Sequence, residues 1–219
     1  MPMGGRLGAW SARLFGDGRL DCRVALTFDA EHPSRPSSPH NLQSLLDSLE
    51  AARSRATFFV QGRWASAYPE LTRRIVEKGH LIGNHSHWHA PLTALTNEGI
   101  RESVTSAEAA IIRTAGVDPR PWFRCPYGSG MDDSRVLTVL DELGYHNVPW
   151  DVAAGDWLPD KRAGELVRDV LHGCRSHGDG ARVLLHTWPD VTSAALPSLL
   201  AQLRSAGAQF VRMDETSTQ

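Results

Sequence analysis

His85 and His89, in the stretch Gly83-Asn84-His85-Ser86-His87-Trp88-His89, are the first residues whose type and spacing suggest chemistry. On a helical turn a spacing of four stacks both imidazoles on one face. Short helical turns present two nitrogen ligands to a divalent metal in this way. No Glu follows the first His, so this is not the His-Glu-x-x-His pattern of metalloproteases. A working site also needs a third ligand, a base to take a proton from water and an acid to protonate a leaving group. Polar residues suited to those tasks lie far apart in the chain: Asp29 and Glu31, Arg124, Asp156 and His186. His87 would face away from the pair on a helix. Ser86 is expected to tie down the turn, since no base accompanies it as it would a nucleophile.

The elements that must bring these residues together can be read from apolar runs and breakers. Strands are predicted at Arg23 to Phe28, Ala56 to Val60, Leu81 to Gly83, Trp122 to Cys125, Tyr145 to Trp150, Arg182 to Leu185 and Gln209 to Met213. Helices are predicted between them, among them one opened by Pro69 and one capped by Thr96 and broken at Gly116. Strand and helix alternate seven times, which implies right-handed crossovers and parallel strands. The strands are short and continuously apolar, as expected of strands buried on both faces. No Gly-x-Gly-x-x-Gly or Walker loop is present, so a nucleotide-binding sheet is not expected. The candidate residues follow five different strands. A barrel gathers such strand ends around one mouth, whereas an open sheet would scatter them along its edge. The fold class expected is therefore α/β, a distorted (β/α) barrel of about seven parallel strands.

The chain has 219 residues, 41% hydrophobic and 22% charged, with a net charge of −2. That suits one globular domain, expected over residues 21–215 after an N-terminal tail of residues 1–20. No basic stripe points to nucleic acid. No apolar run approaches the roughly 20 residues that span a bilayer. The three cysteines, Cys22, Cys125 and Cys174, match neither a zinc spacing nor a disulfide framework. With no apolar signal core in Met1 to Leu20, a cytoplasmic location is expected. Oligomeric state has no signature in the sequence.

From about Arg23 to Met213 the chain resembles the polysaccharide deacetylases (NodB homology domain, carbohydrate esterase family 4). The family's five motifs occur in order: Thr27-Phe28-Asp29, His85-Ser86-x-x-His89, Arg124-Cys125-Pro126-Tyr127-Gly128, Asp156-Trp157 and Leu184-Leu185-His186. The resemblance implies a metal-dependent hydrolase that removes an N-acetyl group from an amino sugar or related small molecule. His85 and His89 would hold one divalent ion, zinc first, with Co, Ni or Mn as alternatives. Asp29 would be the base and Arg124 its ion-pair partner. The Tyr127 backbone N–H would stabilise the oxyanion. His186 would be the acid, tuned by Asp156. Trp157 and Leu184 would wall a pocket for the acetyl methyl.

One motif departs from the family. Its first motif ordinarily carries two adjacent aspartates, base and then ligand, but here the second position is Ala30. Glu31 is expected to be the third ligand. His32, or a two-histidine site completed by water, are the alternatives. Two other functions stand beside the deacetylase: opening of a cyclic amide or imide, and a binding-only barrel, which Ala30 alone supports.

Overall fold

The computed structural model describes residues 20–32 and 39–216, so the expected tail lies almost wholly outside the described residues. The described elements run β1 (Arg23–Ala30), α1 (Pro39–Ala51), β2 (Thr57–Val60), α2 (Gly62–Ala67), α3 (Pro69–Glu77), β3 (Leu81–Asn84), α4 (Asn97–Ala115) and β4 (Trp122–Phe123). They continue with α5 (Ser134–Glu142), β5 (His146–Asn147), β6 (Val152–Ala153), α6 (Ala163–His177), β7 (Ala181–His186), α7 (Asp190–Ser205) and β8 (Gln209–Phe210). The strands form one sheet in the order β5-β4-β3-β2-β1-β7-β6, and β8 pairs with the start of β1. Every pairing is parallel.

The expected barrel of about seven strands is met by a curled sheet of eight, whose end strands β5 and β6 do not pair with each other. The predicted strand from Tyr145 to Trp150 shrinks to His146–Asn147. Pro149 has no N–H to give a ladder. Beyond it the chain crosses to the opposite sheet edge, where Asp151 N bonds Arg182 O at 2.9 Å. It then forms β6 with no intervening helix, which breaks the predicted alternation. The second element missed from sequence, α2, has only six residues. It ends at Tyr68, where the following Pro69 pushes the backbone out of the helical region.

Strand alternation sorts side chains between two environments. Val24, Leu26, Phe28 and Ala30 of β1 pack outward with Phe58, Val60, Ile82, Val183 and Leu185 against the helices. Phe28 and Phe58 stack there with centroids 5.1 Å apart. The opposite parity faces the inside of the curl. Ala25 and Phe59 fill its floor with Val148 and Met213. Above them the inward series continues as Thr27 and Asp29 on β1, then Glu31 just past its end. The same parity carries His85 past β3, Arg124 past β4, and Leu184 and His186 on β7. Among the described residues no helix is long and apolar enough to cross a membrane.

Candidate active site

The inward residues at the C-terminal strand ends line one pocket of about 360 Å³ with His32, His89, Tyr127, Trp150, Trp157 and Trp188. At its base is Arg124, fully buried, whose guanidinium lies 4.0 Å above the Phe59 ring. Its Nη1 donates to Asp29 Oδ1 at 2.9 Å and to Thr27 Oγ1 at 2.8 Å. Its Nε donates to Val148 O at 3.1 Å. Burial pushes the arginine pKa down and the Asp29 charge opposes that. The carboxylate of Asp29, itself buried, is thus fixed by one oxygen, and its Oδ2 lies 3.6 Å from His85 Nε2.

The two metal-candidate histidines do not sit on a helical turn. They lie on a loop after β3, with φ of 60° at Ser86 and 59° at His89. Left-handed residues cannot continue a helix, so the spacing of four succeeds for another reason: the chain doubles back at Ser86. Side chains hold this bend, as such residues do when they compete with regular structure. Asn84 Oδ1 accepts from Ser86 N at 2.9 Å, and Ser86 Oγ accepts from His89 N at 3.1 Å. Asn84 is tied in turn to Val104 O at 3.0 Å and to the Tyr145 hydroxyl at 3.3 Å. Ser86 is therefore the turn residue expected, and His87 is half-buried outside the pocket.

The imidazoles converge with Glu31. His85 Nε2 is 3.1 Å from His89 Nε2 and 3.4 Å from Glu31 Oε2, and His89 Nε2 also contacts Glu31 Oε2. All three residues are buried. His85 Nδ1 lies 2.9 Å from Arg124 O, so it carries the proton and leaves the Nε2 lone pair aimed at the cluster. Burial alone would raise the Glu31 pKa, but the three neighbouring imidazoles outweigh it and hold the carboxyl well below its usual range. Of the residues considered for the third ligand, Glu31 has its oxygen in this cluster, because residues 29 and 31 share a face. The metal-capable set of one carboxylate oxygen and two imidazole nitrogens spans no more than 4.8 Å.

His186 sits across the pocket. Its Nδ1 is 2.8 Å from Asp156 Oδ1, and its backbone N donates to Asp156 Oδ2 at 2.7 Å. Thr192 on α7 donates to the same Oδ2 at 2.7 Å, a contact the sequence reading missed. Burial would lower the His186 pKa. The hydrogen bond and charge of Asp156, with the charges of Asp29 and Glu31, reverse this and lift it to about 9. The Trp157 ring stands edge-on to His186 with centroids 5.3 Å apart, and Leu184 is buried beside it. Tyr127 has a left-handed backbone, φ 56°, and its ring rests on His89 at 4.4 Å.

Trp150 and Trp188 line the pocket, while Trp88 is exposed outside it. A weak signal existed for Trp188, which follows His186 by two residues. Trp150 had none, being assigned to a strand that does not reach it. Cys125 is a packed thiol, with burial raising its pKa to about 12.

Fold and site together define a curled parallel (β/α) barrel with a candidate metal centre facing a separate histidine–carboxylate pair. The family model for polysaccharide deacetylase matches residues 19–148. The peptidoglycan-N-acetylglucosamine deacetylase PgdA of Listeria monocytogenes is 34% identical over 193 residues, 88% of this chain. The chain spans 38% of that relative's length. A solved T48 deacetylase with substrate superposes with a TM-score of 0.76 at 34% identity, over 89% of this chain and 90% of that one. The family 4 carbohydrate esterase of Streptomyces lividans, in complex with acetate, gives 0.74 at 33% identity, over 85% and 90%. The chain belongs to the polysaccharide deacetylase family.

Proposed function

We propose that this chain is a metal-dependent hydrolase that removes the N-acetyl group from an amino sugar, with an N-acetylglucosamine or N-acetylmuramic acid unit of peptidoglycan as the substrate class. The observation that carries this is the gathering of a Glu/His/His cluster and a complete acid–base set around one aromatic-walled pocket. The names of the relatives support the substrate class: they include peptidoglycan deacetylases acting on N-acetylglucosamine and on N-acetylmuramic acid. Ala30 packs outward into the core. Glu31 converges with His85 and His89, which supports its taking the ligand role in place of residue 30 and weighs against the binding-only reading.

The donor set suits a divalent ion, zinc first, because neutral imidazoles and a carboxylate match its ligand preferences. Such an ion supplies Lewis acidity to the acyl oxygen and acidifies a water. The remaining work belongs to the chain. Asp29 accepts the proton of the attacking water through Oδ2, its other oxygen being held by Arg124. His186 donates the proton that lets the amine leave, through Nε2, because Nδ1 is committed to Asp156. The Tyr127 backbone N–H helps hold the oxyanion. Leu184 and Trp157 exclude water from the acyl group.

Incubation of zinc- or cobalt-loaded protein with peptidoglycan fragments or N-acetylglucosamine oligomers is expected to release acetate, with none released after chelation. Loaded protein that releases no acetate from any of these would overturn the reading. A product that gains one water and keeps its acyl carbons would turn it towards cyclic-amide opening.

The raised His186 pKa gives a pH prediction. The raised pKa keeps the imidazole protonated through the neutral range, so rate falls on the alkaline side. Asp156→Asn removes the main contributions that raise this pKa and leaves burial, which lowers it. The alkaline limb of the pH–rate profile is expected to move to lower pH, by about 1–2 units given the size of hydrogen-bond and charge contributions. A profile unchanged in Asp156→Asn would remove His186 as the acid.

A further inference from the structure

The two oxygens of Glu31 are used differently. Oε2 faces His85 and His89. Oε1 meets other groups: the indole Nε1 of Trp188 donates to it at 3.1 Å, His32 Nε2 lies 3.1 Å from it, and His186 Nε2 stands farther off at 4.0 Å. Neither Trp188 nor His32 belongs to a family motif quoted above, and neither touches the reacting groups through this contact.

Both are themselves anchored. His32 has a left-handed backbone, φ 55°, and its N–H donates to Gln61 Oε1 at 2.9 Å. Its ring stands edge-on to His89 with centroids 4.7 Å apart, and to Trp188 at 6.5 Å. The Trp188 carbonyl accepts from Asn41 Nδ2 of α1 at 3.2 Å, and its ring lies 5.9 Å from that of His186. A non-glycine residue held at positive φ is uncommon and costs strain. Here that conformation coincides with the placement of the imidazole against Glu31.

We propose that His32 and Trp188 are positioning residues for the displaced ligand, holding Glu31 by Oε1 so that Oε2 alone is presented to the ion. This rests on the metal-dependent reading above. The physical need is clear from the sequence. Glu has one more rotatable bond than the Asp that the family ordinarily uses, so it must be ordered by something. Two donors on one oxygen orient the side chain before the ion arrives. They also oppose a switch to binding through both oxygens, because that switch would break both contacts. Partners that orient a ligand typically contribute 10–100-fold to metal affinity.

The test is cobalt(II) titration of the metal-free chain, read by visible absorption and by competition with a chelator. The proteins are wild type, Trp188→Phe, His32→Asn and the double variant. Phe keeps the indole's ring contacts without its N–H. Asn tolerates positive φ but does not reach Glu31. Each single variant is expected to weaken cobalt affinity about tenfold, and the double variant by up to about 100-fold. The visible bands of Trp188→Phe are expected to weaken, since a freed Oε1 raises the coordination number. Either change supports the proposal once thermal midpoints of the metal-free variants match wild type. A variant with a shifted midpoint is judged on the absorption spectrum alone. Wild-type affinity together with wild-type absorption in both single variants overturns it and leaves the metal-dependent reading standing. Wild-type protein that takes up no cobalt overturns that reading, and this one with it.

Discussion

Asp29→Asn is expected to lower turnover by about 10²–10⁴-fold, the range for loss of a positioned general base, while the ion is retained at its wild-type content. The substitution keeps shape and one oxygen acceptor, so Arg124 Nη1 still has its partner at the position of Oδ1. It removes the lone pair and charge that take a proton from water. Asp29 is not one of the three converging donors, so metal content is not expected to follow activity. The variant does carry a stability cost. Arg124 is fully buried, and the Asp29 carboxylate offsets its charge. Removing one member of such a pair costs about 3–5 kcal/mol, with Asn at the lower end because the hydrogen bond persists. Activity must therefore be measured below the variant's melting transition, alongside elemental analysis. Full activity in a folded, metal-loaded Asp29→Asn would sink the base assignment. Loss of metal together with activity would move Asp29 from base to ligand.

The parts of this site that sequence could reveal are those set by strand parity. Asp29, His85, Arg124 and His186 each lie at or just past a strand end, and a parallel barrel gathers such ends. Parity also explains Glu31. Residues 29 and 31 share the inward face while Ala30 turns outward into the core. Strand parity therefore suffices to bring Glu31 beside His85 and His89. What sequence concealed depends on backbone irregularity. The spacing of four between His85 and His89 fits a helix, but two left-handed residues and the side chains of Asn84 and Ser86 build a tight bend instead. A predicted strand through Trp150 fails because Pro149 interrupts the ladder. That places Trp150 on the pocket wall and gives the sheet its opening between β5 and β6. Thr192 reaches the site through tertiary packing, which leaves no periodic trace, and His32, named from the sequence as an alternative ligand, is turned by its unusual φ onto the Oε1 side of Glu31.

Glu31→Ala is the second large effect expected. It deletes the carboxylate oxygen that converges with both imidazole nitrogens. Zinc affinity is expected to fall by more than about 100-fold, the upper end of what even an outer partner of a ligand contributes. Acetate release at limiting zinc falls with it. The loss should exceed what a neutral pair of imidazoles alone can offset, because the carboxylate supplies the negative charge of the donor set. His32 does not replace it from its observed position. Its Nε2 engages Oε1 of Glu31, whereas His85 and His89 meet Oε2, and its backbone is fixed by Gln61. Elemental analysis of wild type and Glu31→Ala, dialysed identically against limiting zinc, reads the outcome directly. About one ion per chain in wild type and little in the variant identifies Glu31 as the third ligand. Equal content at equal affinity would hand that role to His32 or to water. Asp29→Asn dialysed in parallel separates the two carboxylates: metal kept without turnover for residue 29, both lost for residue 31.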